Sequence, residues 1–217
     1  MILTLSLLAG IAIAWALVAA MDKYIFGLDG AQALLYAPFK LAYRISDRSM
    51  RIARSARPPV IYAIVHQSRL EPALMLSLLP ADTLHILDPA SARAAWLEPW
   101  RALSRTIAFN AEHVFVSRRL VRMLKGRGRL AVYFPDDPAP DAKGLRLYRA
   151  VARIAMQADA GIVPIFVDGA RRHLFPRLKI NVLEPMTIAE MSAAAADPAP
   201  PSRDGLFDRV TEARVAA

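Results

Sequence analysis

The chain has 217 residues, 55% of them hydrophobic, no cysteine, four histidines and a formal net charge of +9. The lack of cysteine excludes disulfides, thiolate nucleophiles and thiolate-held metals, and the histidines show no H-x-x-x-H spacing that would point to a metal. A pI near 10.3 favours an anionic partner, and a mean hydropathy of +0.29 with a strongly apolar first segment favours a phospholipid surface over nucleic acid.

No charged residue occurs from Met1 to Met21. As a helix this stretch reaches about 30 Å, the thickness of a hydrocarbon core. No basic n-region precedes the apolar run, as a cleaved signal peptide would want, and a core helix rarely stays apolar on every face. Residues 1–21 are therefore predicted to form a retained membrane helix. Lys23, Lys40, Arg44, Arg48, Arg51, Arg54 and Arg57 follow it. By the positive-inside tendency, the body of the protein lies on the cytoplasmic side of the cell inner membrane.

Residues 22–57 mix apolar and basic side chains at roughly helical spacing. They read as an interfacial segment, with Leu34, Leu35, Phe39 and Tyr43 toward lipid and arginines toward head groups. "GLDG" (27–30) is the expected turn before it. The alternative is a helix that simply covers the sheet.

From residue 58 the pattern changes. "PPVIYAIV" and "TLHILD" read as buried strands with the helix "LEPALMLSLLP" between them. "SARAAWLEPWRALSR" is helical with a break before Pro99. "TIAF" and "HVFV" are short strand candidates. "SRRLVRMLKGRG" reads as a basic helix with Ser117 as N-cap and Gly126 near its end. "RLAVYFP" is a strand, "LRLYRAVARIAMQAD" an amphipathic helix, and "AGIVPIFVDG" and "RLKINVLEP" are strands. Alternating strands and helices over 58–192 predict an α/β domain with a mostly parallel central sheet flanked by helices. Residues 193–217 hold a proline-rich linker and a last polar helix.

Ligands of open α/β sheets bind beyond the carboxyl ends of strands. His66 follows "VIYAIV", Asp136 and Asp137 follow "RLAVYF", and Arg118 and Arg119 follow "HVFV". Taken singly, His66 reads as a histidine at a core rim and Glu71 as an acid favoured by a helix N-terminus. Their convergence at strand ends favours a functional site. His85, His113 and His173 read as structural or surface residues.

Four segments in order resemble the sequence blocks of the glycerolipid (lysophospholipid) acyltransferases: "VHQSRLEP", "HVFVSRR", "LKGRGRLAVYFPDD" and "AGIVPIFVDGA". Within that family the pattern is most similar to the acyltransferase domain of the bacterial 2-acylglycerophosphoethanolamine acyltransferases, including "RRHLFPRLKINVLEP". Glu71 stands where the family usually has aspartate. Asp136 and Asp137 stand where it has glutamate and glycine, and the arginine that normally follows is absent.

The resemblance implies acyl transfer from acyl-CoA or acyl carrier protein to the hydroxyl of a lysophospholipid, with no cofactor, no metal and no nucleic-acid partner. His66 would be the general base and Glu71 its orienting acid. Arg69 would face the oxyanion, Arg118 a phosphate, and Asp136 or Asp137 an acceptor ammonium; Arg119 reads equally as a solvated helix residue. The rival expectation, motivated by the altered third block, is a catalytically degenerate relative that binds lipid or a partner protein.

Overall fold

The computed structural model describes residues 2–66, 70–108, 114–135, 142–169, 177–190 and 193. In chain order the helices and strands are α1 (Ile2–Phe26), α2 (Gly30–Tyr43), α3 (Met50–Ser55), β1 (Val60–His66), α4 (Leu70–Leu78), β2 (Thr83–Leu87), α5 (Pro89–Arg93), α6 (Glu98–Arg101), β3 (Arg105–Ala108), α7 (Val114–Lys125), β4 (Arg129–Pro135), α8 (Ala142–Ala158), β5 (Gly161–Asp168) and β6 (Lys179–Val182). The sheet has six strands in the order β3-β2-β4-β1-β5-β6. The pairs β1–β4, β1–β5, β2–β3 and β2–β4 are parallel, and β6 alone runs antiparallel, against β5. The α/β expectation holds, and the sheet is mixed at one edge.

Each sheet face has its own core, because side chains alternate along a strand. Val60, Tyr62 and Ile64 of β1 join Tyr133 of β4 in a cluster with α1 to α4. Ile61 joins Leu130, Val132 and Phe134 in a second cluster under α7 and α8. Gly128 lets β4 follow α7 in so tight a turn: a Cβ there would lie 2.7 Å from the Met123 carbonyl oxygen.

"HVFV" is not a strand. Val114 to Val116 form the first turn of α7, and Ser117 lies inside that helix rather than capping it; His113 lies outside the described residues. A four-residue apolar run is too short to distinguish period 2 from period 3.6, and the helical pattern that continues through Leu120 and Leu124 absorbs it. The C-terminal helix expected near residues 205–217 also lies outside the described residues.

Thr4–Phe26 is long and apolar enough to cross a membrane, and only 6% of its apolar window is buried. The helix runs past Met21 through two charged residues, Asp22 and Lys23, to Phe26. Its junction with α2 explains how. Asp29 caps α2 by accepting from the Gln32 amide at 2.7 Å, while the Gln32 side chain accepts from the Asp29 amide at 3.3 Å. This is a capping box, and it starts the second helix at once. Pro38 cannot donate to the Leu34 carbonyl one turn earlier, and the Trp15 indole donates to it instead at 2.8 Å.

α2 covers the domain more than it faces lipid. Gln32, Ala33, Tyr36 and Ala37 are buried, and Gln32 Nε2 donates to the Leu79 carbonyl at 2.8 Å. Of the four residues expected toward lipid, only Leu34 is exposed, joined by Leu41. Leu35 is half-buried, and Phe39 and Tyr43 pack on the core, with Phe39 5.3 Å from the Trp100 ring. Arg54 is not a head-group ligand either: its guanidinium donates to the carbonyls of Leu78 at 2.7 Å and Gly27 at 3.0 Å. Arg44, Arg48, Arg51 and Arg57 remain exposed.

Lys40, counted among the positive charges that follow the apolar segment, is largely buried between two carboxylates. Its ammonium pairs with Asp22, which is fully buried, and with Asp47 at 2.9 Å. Tyr36 donates to the same Asp47 at 2.6 Å. The ammonium also lies 5.4 Å and 5.7 Å from the ring centroids of Phe26 and Tyr36. Burial pushes the Lys40 pKa down, but the hydrogen bonds and charges of Asp22 and Asp47 outweigh it and leave the pKa raised, so the ammonium stays charged.

Replacing one member of a buried ion cluster strands its partners. Lys40→Met is expected to lower the unfolding free energy by about 3–5 kcal/mol in detergent. Adding Asp22→Asn and Asp47→Asn should recover most of that loss. Denaturant unfolding of the full chain checks both, and a single-variant cost under about 1 kcal/mol would remove the clamp from the account.

Candidate functional site

β1 and β4 run parallel and end together: His66, the last residue of β1, is in register with Pro135, the last of β4. The chain then crosses 67–69 and enters α4, whose first turn carries Glu71. His66 and Glu71 thus flank one short connection at the carboxyl edge of the sheet, as their spacing predicts. Arg69, within that connection, and Asp136 and Asp137, beyond β4, lie outside the described residues, as does His173.

Glu71 is fully buried, and α4 after it is buried through Leu78 and apolar except for Ser77. A carboxylate in such a helix is favoured by the N-terminal dipole and disfavoured by lost hydration. Tyr133 of β4 stands opposite Ile64, one side-chain step before the His66–Pro135 level, and belongs to the α4-side cluster. Its hydroxyl lies 3.0 Å from Nδ1 of His85.

His85, on β2, is fully buried, and burial pushes its pKa down to about 3, so the ring is neutral at physiological pH. Burial, and then the negative charge of Glu71, push the Tyr133 hydroxyl well above the usual tyrosine range. The phenol therefore keeps its proton and sits within the field of Glu71. The strand-end pattern leaves Tyr133 unnoticed and sets His85 aside as structural or surface. The available signal was parity: Tyr133 is polar at an inward position of an apolar strand, and so is His85.

Arg118 and Arg119 do not follow a strand. They are exposed on α7, on the opposite sheet face from α4. Arg118, Arg122 and Lys125 recur at i, i+4 and i+7, and Arg146, Arg149 and Arg153 of α8 recur at i, i+3 and i+7, all exposed. Neither helix contains an acidic residue. Like charges one turn apart are mutually unfavourable, so this face is electrostatically suited to an anion. Phe134 stacks on Tyr148 of α8 at 4.6 Å, which joins the end of β4 to the basic layer. Glu71 on α4 and Arg118 on α7 thus lie on opposite faces of the sheet.

Among the described residues, no three His, Asp or Glu side chains gather as a metal site. An apolar groove between α1 and α2, lined by Ile11, Trp15, Pro38, Leu41 and Ala42, contains none of the strand-end residues.

No family model matches the chain. Among solved structures it is similar to the 1-acyl-sn-glycerophosphate (LPA) acyltransferase PlsC from Thermotoga maritima, at 13% identity over 94% of each chain with a TM-score of 0.48.

The neutral state of His85 has a measurable consequence. Its folded pKa, about 3, lies below the unfolded value near 6.5, so the unfolded chain binds more protons between these limits. The contribution is fully present above pH 6.5 and is lost as the pH falls toward 3. Stability at pH 5 should be about 2 kcal/mol lower than at pH 7 from this group alone. In His85→Leu that part of the slope should vanish; unfolding titrations that leave the slope unchanged would mean the ring is not buried neutral.

Proposed function

We propose that the chain is a membrane-associated acyltransferase that moves a fatty acyl group from acyl-CoA or acyl carrier protein to the hydroxyl of a lysophospholipid. The observation that carries this reading is the placement of His66, the last residue of a central parallel strand, and buried Glu71, in the first turn of the next helix, on either side of one short connection. The block order of the glycerolipid acyltransferases supports it, and so does a helix long enough to cross a membrane. The exposed arginines 44, 48, 51 and 57 beyond α1 support a cytoplasmic domain at the inner membrane.

In this reading His66 accepts the proton of the acceptor hydroxyl as its oxygen attacks the thioester carbonyl. The carbonyl π electrons move to oxygen, and in this reading the oxyanion is the charge that Arg69 stabilises. Collapse breaks the C–S bond, and the departing thiolate takes the proton from the His66 imidazolium. The Glu71 carboxylate offsets the transient charge on His66 and holds the ring in one tautomer. No acyl-enzyme forms. Arg118 receives the acceptor phosphate, and Asp136 or Asp137 its ammonium.

A second reading has a specific observation behind it. Asp136 and Asp137 replace a glutamate and a glycine of the family pattern, and no arginine follows in "PAPDAKG". A non-catalytic lipid- or partner-binding protein would tolerate that change.

A panel of lysophospholipid acceptors separates the two. His66→Ala should lower kcat by about 10³-fold with little change in melting temperature. Glu71→Gln, which keeps the shape but removes the charge, should cost about 10- to 100-fold. An active His66→Ala protein would eliminate the base mechanism. The wild type should prefer lysophosphatidylethanolamine to lysophosphatidic acid, because two aspartates repel a dianionic phosphate. Strong turnover of lysophosphatidic acid would contradict that preference.

A further inference from the structure

We propose that Tyr133 and His85 are positioning residues for Glu71: His85 Nδ1–H holds the Tyr133 oxygen, so that the Tyr133 hydroxyl proton faces the Glu71 carboxylate. This rests on the acyltransferase reading and extends it to two residues to which that reading gives no role, Tyr133 within the third block and His85 on β2, outside all four.

The starting point is the buried histidine. His85 Nδ1 is 3.0 Å from the Tyr133 oxygen, and Nε2 has no hydrogen-bond partner among the described residues. A neutral imidazole carries one proton, on one nitrogen or the other. Placing it on Nε2 buries an N–H donor without an acceptor. Placing it on Nδ1 leaves only a bare lone pair at Nε2, the milder defect. The Nδ1–H tautomer follows, and Nδ1 then donates to the Tyr133 oxygen.

That assignment fixes the phenol. With its oxygen accepting from His85, the Tyr133 hydroxyl proton points away from the imidazole. Tyr133 lies on the α4 side, one side-chain step below the end of β4, and Glu71 enters this buried layer from the first turn of α4. The negative charge of Glu71 acts on the Tyr133 hydroxyl, and the raised pKa keeps that proton in place. An O–H dipole held toward a carboxylate fixes the orientation of that carboxylate. Glu71 can then offset the charge that appears on His66 during proton transfer.

β2 and β4 are neighbours in the sheet, with His85 in register with Ala131. Both partners thus sit on rigid parallel strands rather than on loops, as a positioning role requires.

The test uses the full chain in detergent, with kcat and KM for lysophosphatidylethanolamine and the melting temperature measured on every variant. Tyr133→Phe should lower kcat about tenfold at unchanged KM. It also strands the His85 donor, so its melting temperature should fall. Tyr133→Phe with His85→Leu removes both polar partners, and should regain melting temperature but not kcat. His85→Asn, whose amide can offer a donor near the Nδ1 position, should keep most of the kcat that His85→Leu loses. Nitrogen NMR of His85 should show a neutral ring protonated at Nδ1.

A Tyr133→Phe enzyme with wild-type kcat, in a protein whose turnover His66→Ala abolishes, overturns the relay and leaves the acyltransferase reading standing. Recovery of kcat together with melting temperature in the double variant overturns it too, by making the role structural. Absence of wild-type turnover on every acceptor brings down both readings.

Discussion

One buried cation holds the apolar helix to the rest of the protein. Lys40 gathers Asp22 from the end of α1 and Asp47 from the segment after α2, and Tyr36 completes the hydrogen bonds of Asp47. That segment is itself stitched to the sheet. The Ser46 amide donates to the Leu178 carbonyl at 2.8 Å, Ser46 accepts from the Ile180 amide at 2.9 Å, and the Ser49 hydroxyl donates to the Ile180 carbonyl. The edge strand β6 is thereby covered, which removes an exposed row of unpaired backbone groups. Two carboxylates around one ammonium would be costly without these extra partners. With them, the position of α1 relative to the sheet is set by directional contacts rather than by apolar packing alone.

The sheet passes this order on to its carboxyl edge. β1 is central, paired with β4 on one side and β5 on the other, and its backbone is fixed in register on both. His66 ends this strand, and α4 returns at once with Glu71 in its first turn. Tyr62 donates to the Ala53 carbonyl at 3.0 Å, which ties β1 to α3 and so to the layer that carries α1. A site at this edge is therefore connected through few, rigid steps to the helix that reaches the membrane. The basic helices α7 and α8 occupy the other face, while Arg44, Arg48, Arg51 and Arg57 keep a second cationic surface on the side that carries α1.

The strands "VIYAIV" and "RLAVYFP" were legible because short apolar runs are bounded there by proline or glycine, and the H-x-x-x-x-E spacing marked one edge of the sheet. The places that were not legible share a physical cause, a partner far away in sequence. Asp22 and Lys23 read as the end of an apolar helix, yet α1 continues because Lys40 neutralises Asp22 from 18 residues away. Lys40 read as a juxtamembrane charge for the same reason. His85 and Tyr133 are 48 residues apart and meet only because β2 and β4 are neighbours in the sheet. Local periodicity carries no information on strand order. "HVFV" failed differently: too short to have a period of its own, it took that of the helix behind it.

The central claim is direct transfer from thioester to lipid hydroxyl, with His66 as base. Its most direct measurement is a rapid-quench time course. The full chain in vesicles is mixed with radiolabelled acyl thioester and lysophosphatidylethanolamine. The account predicts that label passes from donor to diacyl lipid at a single rate, that none is ever bound to the protein, and that His66→Ala stops the transfer. Label appearing on the protein before the lipid, or no labelled lipid from the wild type, would contradict it.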